Sequence, residues 1–205
     1  MSYSQLGQDL NVLKIYNNKK SGFFLEIGAN DGIFFSNTYL LEKEYDWSGI
    51  CVEPIPTVFE KLVMNRPKSF CCDRAIYNQS DLTLEFSIAN MSDMLSGITQ
   101  YIDCHRESVN KNKSVIEVKT MTLLDLLDKY NAPPFIEYLS IDTEGSEYEI
   151  LKSFDFQKYV FGIIDVEHNY IEPRRSNIRE LLLANGYLYL GPNKWDDSYK
   201  HNSLL

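Results

Sequence analysis

Phe23-Phe24-Leu25-Glu26-Ile27 is apolar but for one carboxylate, and it breaks at once into Gly28-Ala29-Asn30-Asp31-Gly32. A short apolar run bounded by turn residues predicts a buried strand of a parallel sheet, and the two glycines permit backbone angles and close approaches that a side chain forbids. Such a turn delivers backbone to a ligand at the carboxyl edge of the sheet. A second run, Gly49-Ile50-Cys51-Val52, ends at Glu53. On this architecture an acid roughly twenty residues past the glycine turn accepts hydrogen bonds from ribose hydroxyls. Two acids on neighbouring strand ends therefore predict one adenosine-like site.

Beyond this point strand-like and helix-like runs alternate, the pattern of an α/β, doubly wound, mostly parallel sheet. Strands are predicted at 23–27, 49–52, 69–72, 136–141, 160–166 and 187–191, and helices at 6–17, 37–45, 56–65, 122–130, 147–153 and 175–185. Ser36-Asn37 is read as a cap for the helix after the glycine turn, and Gly186 as the stop of the last helix. The stretch from Leu82 to Lys119 departs from the alternation. Leu82–Ile88 and Val115–Lys119 read as two-faced strands, and the polar segment between them, residues 90–114, is predicted to be a lid or acceptor loop.

With 205 residues, 44% of them hydrophobic and 24% charged, the chain suits a single domain over 1–205 with a substantial core. No run of about eighteen apolar residues occurs and no leader precedes the first helix, so neither a membrane span nor secretion is expected, and a cytoplasmic location is. A formal charge of −9 counts against nucleic acid as a partner, because that affinity rests on Lys and Arg neutralising phosphates. The one basic pair on a helix start, Arg174-Arg175, reads as a solvated face. Cys51, Cys71, Cys72 and Cys104 form no C-x-x-C pair and read as free thiols in a reducing compartment.

Two further strand ends carry acids. Tyr138-Leu139-Ser140-Ile141 leads into Asp142-Thr143-Glu144-Gly145, and Ile163-Ile164 leads into Asp165-Val166-Glu167-His168-Asn169. In a parallel sheet Glu26, Glu53, Asp142 and Glu167 project from the same edge, where sites on this architecture are built.

These pieces, with Ser4-Gln5-Leu6-Gly7-Gln8-Asp9, Val52-Glu53-Pro54 and Asp73-Arg74-Ala75-Ile76, resemble in their order the FkbM-type methyltransferases. The resemblance implies a Rossmann-like fold of the class I methyltransferase type and S-adenosyl-L-methionine as cofactor. It implies that Glu26, Gly28, Asn30 and Asp31 form the turn under the methionine portion, that Glu53 holds the ribose diol, and that Asp73 or the backbone at Ala75 lies near the adenine. Asp142 would face the transferring methyl. Asn30 stands where a second glycine is common, and Asn tolerates the left-handed conformation the turn needs. The implied activity is O-methylation of a sugar hydroxyl in a glycan or glycolipid, with a glycan, glycolipid or nucleotide sugar as partner. Fusion to a glycosyltransferase or other domains is also expected.

The chemistry asks for in-line displacement, in which orientation alone contributes up to roughly 7–11 kcal/mol in favourable systems. A sugar hydroxyl also needs a positioned base, typically about 10²–10⁴-fold. His105 lies in the polar loop and His201 near the C-terminus, so His168 is the leading base, with Glu144 its competitor beside Asp142. Asp142, Glu144, Glu167 and His168 could together ligate a divalent cation, but no metal site is expected. Tyr170, Trp195 and Tyr199 are candidate sugar contacts left outside the catalytic set. The competing readings are an NAD-dependent oxidoreductase and a noncatalytic nucleotide-binding module.

Overall fold

The computed structural model describes residues 1–90, 93–102 and 106–204. In chain order the first elements are α1 (Gln8–Ile15), β1 (Phe23–Ile27), α2 (Tyr39–Tyr45), β2 (Ser48–Val52), α3 (Pro56–Asn65) and β3 (Phe70–Cys72). The middle holds β4 (Ala75–Tyr77), β5 (Thr83–Ala89), β6 (Gly97–Ile98), α4 (Arg106–Lys111), β7 (Lys113–Thr122) and α5 (Leu123–Lys129). The chain continues through β8 (Phe135–Ile141), α6 (Glu147–Lys152), β9 (Val160–Glu167), α7 (Arg174–Ala184), β10 (Tyr187–Asn193) and β11 (Asp196–His201).

A seven-stranded sheet runs in the order β10-β11-β9-β8-β1-β2-β3. Neighbours from β3 through β9 are parallel, whereas β11 is antiparallel to both β9 and β10. Side chains alternate between faces, so each central strand feeds two cores. On one face Leu25, Ile27, Leu139 and Ile164 meet Leu126 of α5, Ile150 of α6 and Leu182 of α7. On the other, Phe24, Tyr138 and Ile163 meet Val12 of α1, Leu41 of α2 and Leu62 of α3. Helices on both faces make the sheet doubly wound.

All six predicted strands and all six predicted helices of the main sheet are present, with shifts of a few residues at their ends. Gly186 follows the last helix in the left-handed region (φ 86°), as a stop should. The N-cap of α2 is Thr38, not Ser36 or Asn37, and makes no side-chain cap bond, although Ser36 Oγ, two residues earlier, accepts from the Tyr39 N–H at 3.0 Å. The two strands expected between Leu82 and Lys119 pair antiparallel as β5 and β7 in a second sheet, ordered β4-β7-β5-β6.

The segment after Trp195 forms β11, which is inserted between β9 and β10. One reading needs correction. Arg174 and Arg175 are not a solvated face. Arg174 Nη1 donates to the Gly145 carbonyl at 3.0 Å, and Arg175 grips both Asp197 oxygens at 2.8 and 2.9 Å. Among the described residues Cys51, Cys71 and Cys72 are free thiols, and no helix is long and apolar enough to cross a membrane. Cys104 and His105 lie outside the described residues.

Candidate active site

Strand register stacks the polar residues in two rows. Glu26 of β1 is opposite Ser140 of β8, Ser140 is opposite Asp165 of β9, and Asp165 is opposite Ser198 of β11. Residues two further along point to the same face. A second row, Gly28, Asp142, Glu167 and Asp196, therefore stands at the rim, and Asp196 is in direct register with Glu167. Both rows border a cleft of about 1070 Å³, counted to its open mouth. Its walls carry six carboxylates (Glu26, Glu53, Asp142, Asp165, Glu167 and Asp196) and, among the described residues, no Lys, Arg or His.

The glycine turn forms the floor. A Cβ on Gly28, whose φ is 86°, would lie 2.1 Å from the Asp142 carbonyl oxygen, so no larger residue fits between the two strand ends. Asn30 takes the left-handed conformation (φ 46°) and lines the cleft. Asp31 does not line it. Its Oδ1 accepts from the N–H groups of Ile33 and Phe34 at 2.9 and 2.8 Å, so it shapes the loop instead of meeting a ligand.

Glu26 lines the cleft, yet its oxygens are already engaged by the protein. Oε1 accepts from the Asn37 N–H at 2.6 Å, and Oε2 from the hydroxyls of Ser36 and Thr38 at 2.9 and 2.6 Å. Arg66, fully buried, lies 3.4 Å from the same Oε2 and bonds Glu42, Gly32 and Thr38. Glu26 thus braces the loop from the cleft wall.

Glu53 lies at the end of β2, where one oxygen accepts from the Ile55 N–H at 2.8 Å. Beside it Ile55, Ala75, Ile76, Phe86 and Ile98 make an apolar slot. Ala75 belongs to this wall and Asp73 does not, because the Asp73 side chain turns out to solvent and toward Arg74.

Asp142 opens into the cleft between Gly28 and Glu167. Although Asp142 is exposed to the cleft, the protein packed around it, with the nearby Glu147 charge adding to the effect, pushes its carboxyl up to about 6 despite a hydrogen bond with Glu167. Glu167 is pushed well above the usual carboxylate range, by burial first and then by the charges of Asp142 and Glu144. Two carboxyl groups in contact share a proton and titrate as a pair. Glu144 is buried behind them and does not line the cleft, although oxygens of Asp142, Glu144 and Glu167 lie within 4.8 Å of one another. That spacing suits a divalent cation as well as a shared proton.

His168 is not placed to act on a ligand. It follows Glu167 in an extended chain and faces the other way, 1% exposed and outside the cleft walls. Its Nδ1 accepts from the Tyr170 N–H at 2.9 Å, and its Nε2 faces Asp197 Oδ1 at 3.5 Å. Burial alone would raise Asp197, but hydrogen bonds from Arg175, Tyr189 and Arg179, with His168 close by, hold it well below the carboxylate range. His201 bonds Ser203 away from the cleft. Of the three candidate sugar contacts Trp195 lines the cleft, whereas Tyr170 projects elsewhere and Tyr199 is a core residue.

Sequence reasoning missed Asn37 as a ligand contact and the ring pair Phe34–Phe35, and left Asp196, beside Trp195, outside the site. Asp196 accepts from Gln8 Nε2 at 2.7 Å, and burial, reinforced by the Asp142 charge, lifts it to about 7. Asn37 donates to Ser140 Oγ at 2.8 Å while its own Oδ1, buried in the cleft wall, has no hydrogen-bond partner. An orphaned acceptor at that position asks for a donor from a ligand.

The model of the family described as Methyltransferase FkbM domain matches residues 26–189. A search of curated proteins finds no match. Among solved structures, a METTL16 MTase domain superposes with a TM-score of 0.54 at 12% identity, over 95% of this chain and 65% of that one. A delta-N METTL16 MTase domain gives 0.51 at 10% identity, over 95% of this chain and 79% of that one. A human methyltransferase 10 domain containing protein gives 0.50 at 11% identity, over 94% and 80% respectively. Identities this low speak for the fold, while the family match covers the glycine turn and five of the six cleft acids, all but Asp196. The chain belongs to the FkbM methyltransferase family, and it is an S-adenosylmethionine-dependent methyltransferase on a Rossmann-like class I fold.

Proposed function

We propose that the protein is an O-methyltransferase acting on a sugar hydroxyl of a glycan or glycolipid. The observation that carries this reading is the row Asp142, Glu167 and Asp196 at one rim of a cleft whose described walls hold no basic side chain. That composition suits a cofactor bearing an ammonium and a sulfonium, and it offers nothing basic to a dinucleotide's pyrophosphate, which argues against the NAD-dependent reading.

The residues present fit the cofactor. Glu53 would hold the ribose diol beside the apolar slot, the Gly28 turn would cradle the methionine portion, and the orphaned Asn37 Oδ1 would receive the ammonium group. When bound, the cofactor supplies an electrophilic methyl group on a cationic sulfur. The protein orients an acceptor hydroxyl and removes its proton. The Asp142 and Glu167 carboxyls are in contact and both pushed above the ordinary carboxylate range, so the pair is suited to accept a proton near neutral pH, as a general base should. With His168 turned away and Glu144 set behind the wall, this pair is the proposed base.

Met94, Ser96 and Ile98 lend residues 90–114 to the cleft wall, which supports reading that segment as a cover over the acceptor. Labelled-methyl transfer to a panel of neutral sugars tests the proposal. Cofactor binding without transfer to any of them overturns it and favours the noncatalytic module.

A further inference from the structure

The β1–α2 loop carries two aromatic rings that the core does not use. Phe34 and Phe35 are 56% and 37% exposed, their rings stack at 4.0 Å between centroids with 29° between planes, and both border the cleft. Phe35 is held at φ 57°, a conformation that bulky residues rarely adopt and that persists only where the surroundings impose it. Asp31 fixes the preceding turn through the Phe34 N–H, and Ser4 pairs with Phe35 as an isolated bridge.

The N-terminal segment that meets this loop also meets the other wall. Gln8 donates to Asp196, whose neighbour Trp195 lines the cleft, and Asn193 Nδ2 bonds the Leu6 carbonyl at 3.2 Å. Phe34, Phe35, Trp195, Gln5, Gln8 and Asp196 therefore belong to one continuous stretch of wall, apart from the apolar slot beside Glu53. Aromatic faces with adjacent side-chain amides and a carboxylate are complementary to a sugar ring, whose C–H face is apolar and whose edge bears hydroxyls.

We infer that this wall is the acceptor subsite, in which the Phe34–Phe35 pair takes the apolar face of a neutral glycosyl ring and Gln5, Gln8 and Asp196 take its hydroxyls. The inference rests on the methyl-transfer reading above and narrows it. The acidic wall, with no described basic residue to receive a phosphate or carboxylate, disfavours sugars that bring one to the acceptor side, because like charges at short range repel in a site removed from water. Nucleotide sugars and uronic acids are thereby disfavoured as acceptors.

The test uses the intact protein with methyl hexosides, glucuronate and glucose 6-phosphate as probes. Phe34→Ala, at an exposed position, is expected to raise KM for a neutral methyl hexoside at least about tenfold while the S-adenosylmethionine Kd stays unchanged, and Phe34→Trp is expected to restore KM to within about threefold. The two anionic sugars are expected to show at least about a hundredfold lower kcat/KM than the neutral ones. An unchanged KM in Phe34→Ala, or equal use of anionic sugars, overturns the subsite. Should wild-type protein bind methyl hexosides, read by Trp195 fluorescence, yet transfer no methyl to them, the subsite stands and the proposed function falls. Absence of hexoside binding alongside transfer to another alcohol overturns the subsite.

Discussion

The Arg66 guanidinium lies 3.4 Å from the Glu26 carboxylate, and both side chains are almost wholly buried beneath the β1–α2 loop. The same guanidinium donates to the Gly32 carbonyl at 3.1 Å and to Thr38 Oγ1 at 2.9 Å, so one cation ties β1, its turn and the start of α2 together. Breaking a buried ion pair from one side leaves an uncompensated charge and costs about 3–5 kcal/mol. Arg66→Leu is expected to lose that much stability in urea unfolding, and a loss below about 1 kcal/mol would show that Glu26 does not depend on it.

Glu53→Ala is expected to weaken S-adenosylmethionine binding by about 10- to 100-fold, the effect of losing hydrogen bonds to a charged group. Titration calorimetry reads it directly, with circular dichroism as a control for folding. Unchanged affinity removes the ribose role.

Glu167→Gln and His168→Asn separate the cleft from what lies behind it. The first is expected to lower single-turnover methyl transfer by about 10²–10⁴-fold, the usual share of a general base. The second is expected to cost about 1–3 kcal/mol of stability through its buried hydrogen bonds while the rate stays within a few-fold. The reverse pattern would reinstate His168 as the base.

Buried acids make the cofactor-free protein less stable in alkali. Asp165 is lifted to about 6 and Asp196 to about 7, in both cases by burial first. A folded pKa above the unfolded one means the folded chain keeps protons that the unfolded chain has released. Stability therefore falls as pH rises from about 4 to about 7 and stays low above that. Asp196→Asn is expected to gain about 1–3 kcal/mol at pH 8, roughly 2–10 °C in Tm, and to gain nothing near pH 3. Thermal unfolding across that range decides it, and a gain independent of pH contradicts the assignment.

Addition of EDTA is expected to leave the methyl-transfer rate unchanged, because the proposed base is the Asp142–Glu167 pair and needs no cation. A loss of at least about tenfold, restored by magnesium or manganese, would instead assign a cation to Asp142, Glu144 and Glu167.

The central strands were legible because β1, β8 and β9 are apolar on both faces, and a run such as Val160–Val166 has few other uses. β11 was not legible. Asp196-Asp197-Ser198-Tyr199-Lys200-His201 has no apolar alternation, and its burial depends on distant partners such as Arg175, Arg179 and Gln8. Asp196 was left outside the site for the same reason. His168 was misjudged because the two-residue period of a strand sends neighbours to opposite faces, so that Glu167 reaches the cleft and His168 cannot. Asp31 and Asp73 read as ligand contacts because spacing shows where an acid stands along the chain, but not that its oxygens already serve local backbone or solvent.

The insertion of β11 bears on how the molecule matures. Until that strand docks, Val160–Glu167 offers an open hydrogen-bonding border along a nearly all-apolar segment, the kind of surface on which chains stick to one another. A polypeptide halted shortly after Gly186 is thus left with a bare sheet margin as well as half a catalytic rim, and misassembly, not a quiet loss of activity, is the hazard it faces.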